Sequence, residues 1–133
     1  MVPAKDKDHY SILVTDDDAE FRSAVCESIE PEGYHTLTAS SGSEAIRIVR
    51  HEVVHALIMD VNMPDIDGIQ VFEMIEQIVA MHLPCIFMSG HLTNEMRLRA
   101  LMARAYTILP KPLSLRLVRM LVDDIIHKFY EME

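Results

Sequence analysis

His51, Glu52 and His55 stand at the spacing H-E-x-x-H within HEVVHALIMD, residues 51–60. On a helix, two histidines four positions apart share a face and can bind zinc, with the glutamate as general base. A second chemistry is carried by acids. Asp16, Asp17 and Asp18 run together, and Asp60 closes the segment that the histidines open. A zinc site requires residues 51–55 to be helical. A carboxylate site requires a helix to end near His51 and a strand to bring Asp60 to an edge. There is no Gly or Pro between Ser43 and Met63, so helix breakers alone do not decide, and periodicity is ambiguous for so short an apolar run.

The elements that would position these groups alternate along the chain. SILVT (11–15) is a β-prone run that stops at the acidic triplet. Phe21, Ala24, Val25 and Ile29 follow at helical spacing until Pro31-Glu32-Gly33. Tyr34 to Thr38 alternates like a strand. Ser41-Gly42-Ser43 is a turn that can cap a helix from Glu44 to about Arg50. Ala56-Leu57-Ile58-Met59 is apolar on every side, as suits a strand buried on both faces of a parallel sheet. VNMPDIDG is a loop turned by Pro64 and Gly68, followed by a helix with Val71, Phe72, Ile75 and Val79 on one face. CIFMS (85–89) is a fourth strand, and Thr93 caps a helix through about Met102. Tyr106 to Leu109 is a fifth strand. Ser114 caps the last helix, with Leu113 and Val118 as a hydrophobic staple and Leu117, Leu121, Val122, Ile125 and Phe129 as its apolar face. Five strands alternating with five helices give one α/β domain with a parallel sheet.

In such a sheet ligands bind outside the C-terminal ends of the strands. Asp16 and Asp17 follow the first strand, Asp60 ends the third, Ser89 the fourth, and Lys111 follows the fifth. Crowded carboxylates need a cation or raised pKa values, and oxygen-only ligands suit Mg²⁺. A carboxylate beside that ion can attack phosphorus to form an aspartyl phosphate. Lys111 offers a point charge to a phosphoryl oxygen, Ser89 a hydrogen bond, and Gly90 room beside them. Each residue taken singly has a plain structural role: turn, N-cap or surface lysine. Their coincidence at four strand ends is what points to one site.

The segments ILVTDDDAEFR (12–22), GYHTLTASSGSEAI (33–46), ALIMDVNMPDIDG (56–68), CIFMSG (85–90) and YTILPKPL (106–113) together resemble the receiver domain of two-component response regulators. The resemblance implies a flavodoxin-like, doubly wound five-stranded parallel sheet in the order 2-1-3-4-5 over residues 10–130. Asp60 then matches the phosphoacceptor, and Asp16 and Asp17 the acidic pair that holds Mg²⁺. Asn62 matches the position whose main-chain carbonyl reaches the metal, Ser89 the switch hydroxyl and Lys111 the phosphate-binding lysine. The Lys111–Pro112 peptide is expected to be cis. Such a domain takes its phosphoryl group from a histidine kinase or phosphotransfer protein, acts on a downstream protein or fused effector domain, and is no enzyme beyond its own phosphorylation and dephosphorylation. Asn62 and His91 are expected to flank the path of hydrolytic attack. Two positions depart from the pattern. Ile108 replaces the usual switch aromatic, with Tyr106 two residues earlier, and Arg104 stands where glycine is common.

Composition bounds the alternatives. The chain has 133 residues, half of them apolar, and a net charge of −9. It lacks a basic footprint for nucleic acid, a run long enough for a membrane span and an apolar leader in MVPAKDKDH. Residues 1–9 are expected to be a solvated tail and the domain to be cytoplasmic. Cys26 and Cys85 are isolated, as expected of buried reduced thiols. An EF-hand alignment of Asp65, Asp67 and Gly68 places Met63 and Met74 where carboxylates are needed. Asp60-Val61-Asn62 lacks the second acid of a haloacid-type phosphatase, and acids around the cleft would repel the phosphate of FMN.

Overall fold

The computed structural model describes residues 9–131; of the expected N-terminal tail, all but His9 lies outside the described residues. Five strands, β1 (Ser11–Thr15), β2 (His35–Ala39), β3 (Ala56–Asp60), β4 (Cys85–Ser89) and β5 (Thr107–Pro110), alternate with five helices. The helices are α1 (Ala19–Ile29), α2 (Gly42–His51), α3 (Gly68–Val79), α4 (Asn94–Met102) and α5 (Leu115–Ile126). The sheet is wholly parallel in the order β2-β1-β3-β4-β5. No helix among the described residues is long and apolar enough to cross a membrane.

The sheet is covered on both faces, which is why β3 and β4 are apolar throughout rather than alternating. On one face Leu13, Leu57, Met59 and Phe87 pack with Val49 of α2, Phe72 and Ile75 of α3 and Ala100 of α4. On the other, Ile12, Val14, Ile58, Ile86 and Met88 pack with Val25 and Ile29 of α1 and Val118, Val122 and Ile125 of α5. Cys26 and Cys85 are buried free thiols.

Side-chain caps fix where the helices begin. Asp18, Ser41, Asp67, Thr93 and Ser114 each accept main-chain N–H bonds from the first turn of the helix that follows. The ambiguous 51–60 segment divides as a carboxylate site requires. Glu52 donates its N–H to the Ile48 carbonyl and then turns extended (φ −126°, ψ 144°), closing α2 at His51. His55 falls outside that helix, one residue before β3. Its Nδ1 accepts the Ser11 N–H at 3.0 Å, and its ring packs edge-on against Tyr10 and Tyr130 at the end of the sheet where the strands begin.

The last helix departs from its expected face. Val122 and Ile125 are buried, but Leu117 and Phe129 are exposed, and the inward stripe is Val118, Val122, Ile125 and Ile126. The helix loosens into a π turn at His127–Glu131, which rotates Phe129 out of phase with the preceding stripe. Strands β2 and β5 each begin one residue later than expected.

Candidate functional site

Parallel register brings the acidic residues to one edge. Thr15 pairs with Met59 and Asp60 with Met88, so Asp16 emerges beside Asp60. Both are buried, whereas Asp17 is exposed. Carboxylate oxygens of Asp16, Asp17 and Asp60 all lie within 4.8 Å of one another. This all-oxygen donor set fits a hard divalent cation, one member reaching solvent while two are fixed.

Lys111 crosses from the end of β5 into the same pocket. Its Nζ donates to Asp16 Oδ2 at 2.7 Å and to Asp60 Oδ2 at 3.2 Å, and rests 4.5 Å from the centre of the Phe21 ring. The Lys111–Pro112 peptide is cis. The remaining oxygens are also held. Asp60 Oδ1 accepts the Asn62 N–H at 2.9 Å, and Asp16 Oδ1 accepts the Asp18 N–H at 2.9 Å. Burial pushes the Asp60 carboxyl above the usual carboxylate range, against the pull of the Asn62 N–H and the Lys111 ammonium. Burial opposes the charge of Lys111 too, but the hydrogen bond to Asp16 and the charges of both acids outweigh it and raise its pKa. The pocket holds two buried acids against one ammonium, with a third acid at its mouth, an excess of negative charge.

Ser89 ends β4 fully buried. Its hydroxyl donates to Asn62 Oδ1 at 2.6 Å and accepts the His91 N–H at 3.0 Å. The six residues expected from the sequence thus form one connected group. At Gly90 a Cβ would meet no protein atom within 4 Å, so packing within the chain does not itself call for glycine there. Packing does demand glycine at position 68. A Cβ on it would lie 2.2 Å from the Asp60 carbonyl oxygen, because α3 starts hard against the end of β3.

Several supporting residues escaped the sequence reading. Arg22 Nη1 donates to the Asp16 carbonyl at 2.6 Å. Asp65 accepts the main-chain N–H groups of Gly42 and Ser43 at the start of α2. Asp67 caps α3 and receives both Arg99 terminal nitrogens, at 3.0 and 2.9 Å. The loop after Asp60 is therefore fastened to α2, α3 and α4. The signal in the sequence was D-x-D inside a Pro/Gly loop, which is equally a turn composition. Ile108 packs on the face shared with α2, α3 and α4. Tyr106 lies on the opposite face, accepting a bond from Lys128 at 3.3 Å, so it does not replace the missing aromatic.

A sheet of this order with acids, hydroxyl and lysine gathered at its C-terminal edge is the architecture of signalling receivers. Residues 12–123 match the family model of the response regulator receiver domain, and the chain belongs to that family. It is 30% identical over 105 residues to a putative response regulator NtrX-like of Rickettsia typhi, covering 77% of this chain and 22% of that protein. It is 29% identical over 114 residues to the sensor histidine kinase RcsC of Escherichia coli, covering 86% and 12%. A two-component response regulator of Clostridium difficile superimposes with a TM-score of 0.84 at 21% identity, covering 91% of this chain and 98% of that one. The chain spans about a fifth of the length of the first of these relatives.

Proposed function

We propose that this receiver domain, over residues 10–130, is a phosphorylation switch in which Asp60 takes a phosphoryl group from a phosphohistidine donor. That donor is a histidine kinase or phosphotransfer protein. The observation that carries this reading is the setting of Asp60: buried, at a strand end, with two further acids within one ion's reach and an ammonium at 3.2 Å.

Asp60 attacks phosphorus through a carboxylate oxygen. An O–P bond forms as the P–N bond breaks, and the leaving imidazole keeps the electron pair. Asp16, Asp17, Asp60 and the Asn62 carbonyl would hold Mg²⁺, which would supply neutralisation of the charge that gathers on the phosphoryl oxygens. Lys111 transfers its hydrogen bond from the Asp60 carboxylate to one of those oxygens, and the Ser89 hydroxyl donates to another. The Ser89 movement biases the surface formed by β5 and the last two helices toward a second state read by a downstream protein or fused effector. Asn62 and His91 flank the water that later hydrolyses the acyl phosphate. The domain turns over no separate substrate and works in the cytoplasm, and its acidic surface gives nucleic acid no footprint.

Acetyl phosphate with Mg²⁺ tests this reading by intact mass. Wild type is expected to gain one phosphoryl group, labile to alkali and hydroxylamine, and Asp60→Asn none. Failure of wild type to gain it would leave a receiver-shaped interaction module instead.

A further inference from the structure

We infer that the Asn62 side chain is a latch on Ser89, holding the switch hydroxyl in the resting state and opposing phosphoryl binding. The inference rests on the phosphoacceptor reading of Asp60 and concerns the side chain of Asn62, separately from its main-chain carbonyl.

A serine hydroxyl has one proton to give. In Ser89 that proton goes to Asn62 Oδ1 at 2.6 Å. The His91 N–H already donates to Ser89 Oγ at 3.0 Å. The other acceptor in reach is the Met96 thioether at 3.6 Å, a weak one. Asn62 is placed to hold Ser89 because its own N–H is bound to Asp60 Oδ1 at 2.9 Å. Its main chain is therefore fixed to the acceptor, while its amide reaches across from β3 to β4.

The two partners differ in what release costs them. Asn62 is exposed, so its freed amide oxygen is taken up by water. Ser89 is fully buried and must exchange Asn62 for another protein or ligand acceptor, since an unpaired buried hydroxyl is costly. A phosphoryl oxygen on Asp60 is such an acceptor. It must therefore compete with Asn62 for the same proton, and the latch lowers the apparent affinity of the site for a phosphoryl group.

Beryllium trifluoride in the presence of Mg²⁺, titrated by calorimetry, probes the bound state without turnover. Asn62→Ala keeps the main-chain N–H bonded to Asp60 and the carbonyl proposed to reach the metal, and removes the side chain that forms the latch. The proposed place of that side chain beside the hydrolytic water does not bear on a probe that does not turn over. It is expected to bind the probe about fivefold more tightly than wild type, the worth of one hydrogen bond. In a Ser89→Ala background the same substitution is expected to change nothing, because there is no proton left to compete for. Unchanged or weaker binding by Asn62→Ala, or an equal gain with and without Ser89, would overturn the latch and leave Asp60 as acceptor. If wild type binds the probe no better than Asp60→Asn, the phosphoacceptor reading falls and the latch with it.

Discussion

Lys111 Nζ lies 2.7 Å from Asp16 Oδ2, nearer than to Asp60, the residue it is proposed to serve. The ammonium thus stands on one of the acids proposed to hold a metal ion. A divalent cation entering the cluster must share Asp16 with it or displace it, and two cations held by one buried carboxylate repel. Lys111→Ala is expected to bind Mg²⁺ roughly three- to tenfold more tightly, since it removes a charge-assisted hydrogen bond that metal entry must otherwise disturb. Calorimetric titration of metal-free protein decides it. An unchanged or weaker affinity would mean that the lysine and the ion occupy the pocket independently.

Arg104 sits at φ 60° just past the end of α4. The Ala105 N–H bonds back to the Ala100 carbonyl and the Arg104 N–H to that of Leu101, at 2.9 and 3.0 Å. This pattern ends a helix through a left-handed residue, where glycine avoids the clash of a Cβ. Arg104→Gly is therefore expected to stabilise the fold by about 1 kcal/mol, seen as a higher urea midpoint at unchanged slope. A lower midpoint would show that the Arg104 side chain contributes more than its backbone costs.

Gly68 and Gly90 both border the site and are expected to differ sharply on substitution. Gly68→Ala drives a methyl group into the Asp60 carbonyl, and a loss of about 3 kcal/mol is expected because the opposing atom is main chain. Gly90→Ala is expected to stay within about 0.5 kcal/mol of wild type. Paired denaturation curves test both, and comparable losses would contradict the packing described for β3 and α3.

His55 must be neutral to accept the Ser11 N–H through Nδ1, and burial lowers its pKa below 6.5. A histidine depressed in the fold binds its proton more readily when unfolded. The stability it confers is complete above about pH 6.5 and is lost as pH falls through the folded-state value. Wild type is expected to lose stability as pH falls below about 6.5, with a slope of up to ~1.4 kcal/mol per pH unit that is absent in His55→Gln. Parallel slopes in the two proteins would remove His55 as their source.

The strand ends were readable because burial on both faces forces an apolar run, and the polar residue that stops it is conspicuous. Asp16, Asp60 and Ser89 were found in that way. The boundary at His51 was not readable from breakers, because α2 ends by a change of main-chain direction at Glu52 rather than at Gly or Pro. The outward turn of Phe129 escaped notice because a π turn shifts phase without any mark in composition. Asp65, Asp67 and Arg99 escaped because their role lies in which distant helix each meets, and local spacing carries no such information. Gly68 was assigned to turning the chain, whereas its need arises from a carbonyl eight residues earlier.

The fastening of residues 65 and 67 to three helices bears on where the entropy of reaction is met. Loops that close over a ligand must be ordered at each encounter, and every encounter is slowed accordingly. Here Ser43, Ile69 and Arg99 pin the segment in the folded domain. On the proposed reading, the loop beside Asp60 is thus held before any donor arrives, and its ordering is not added to the cost of the reaction.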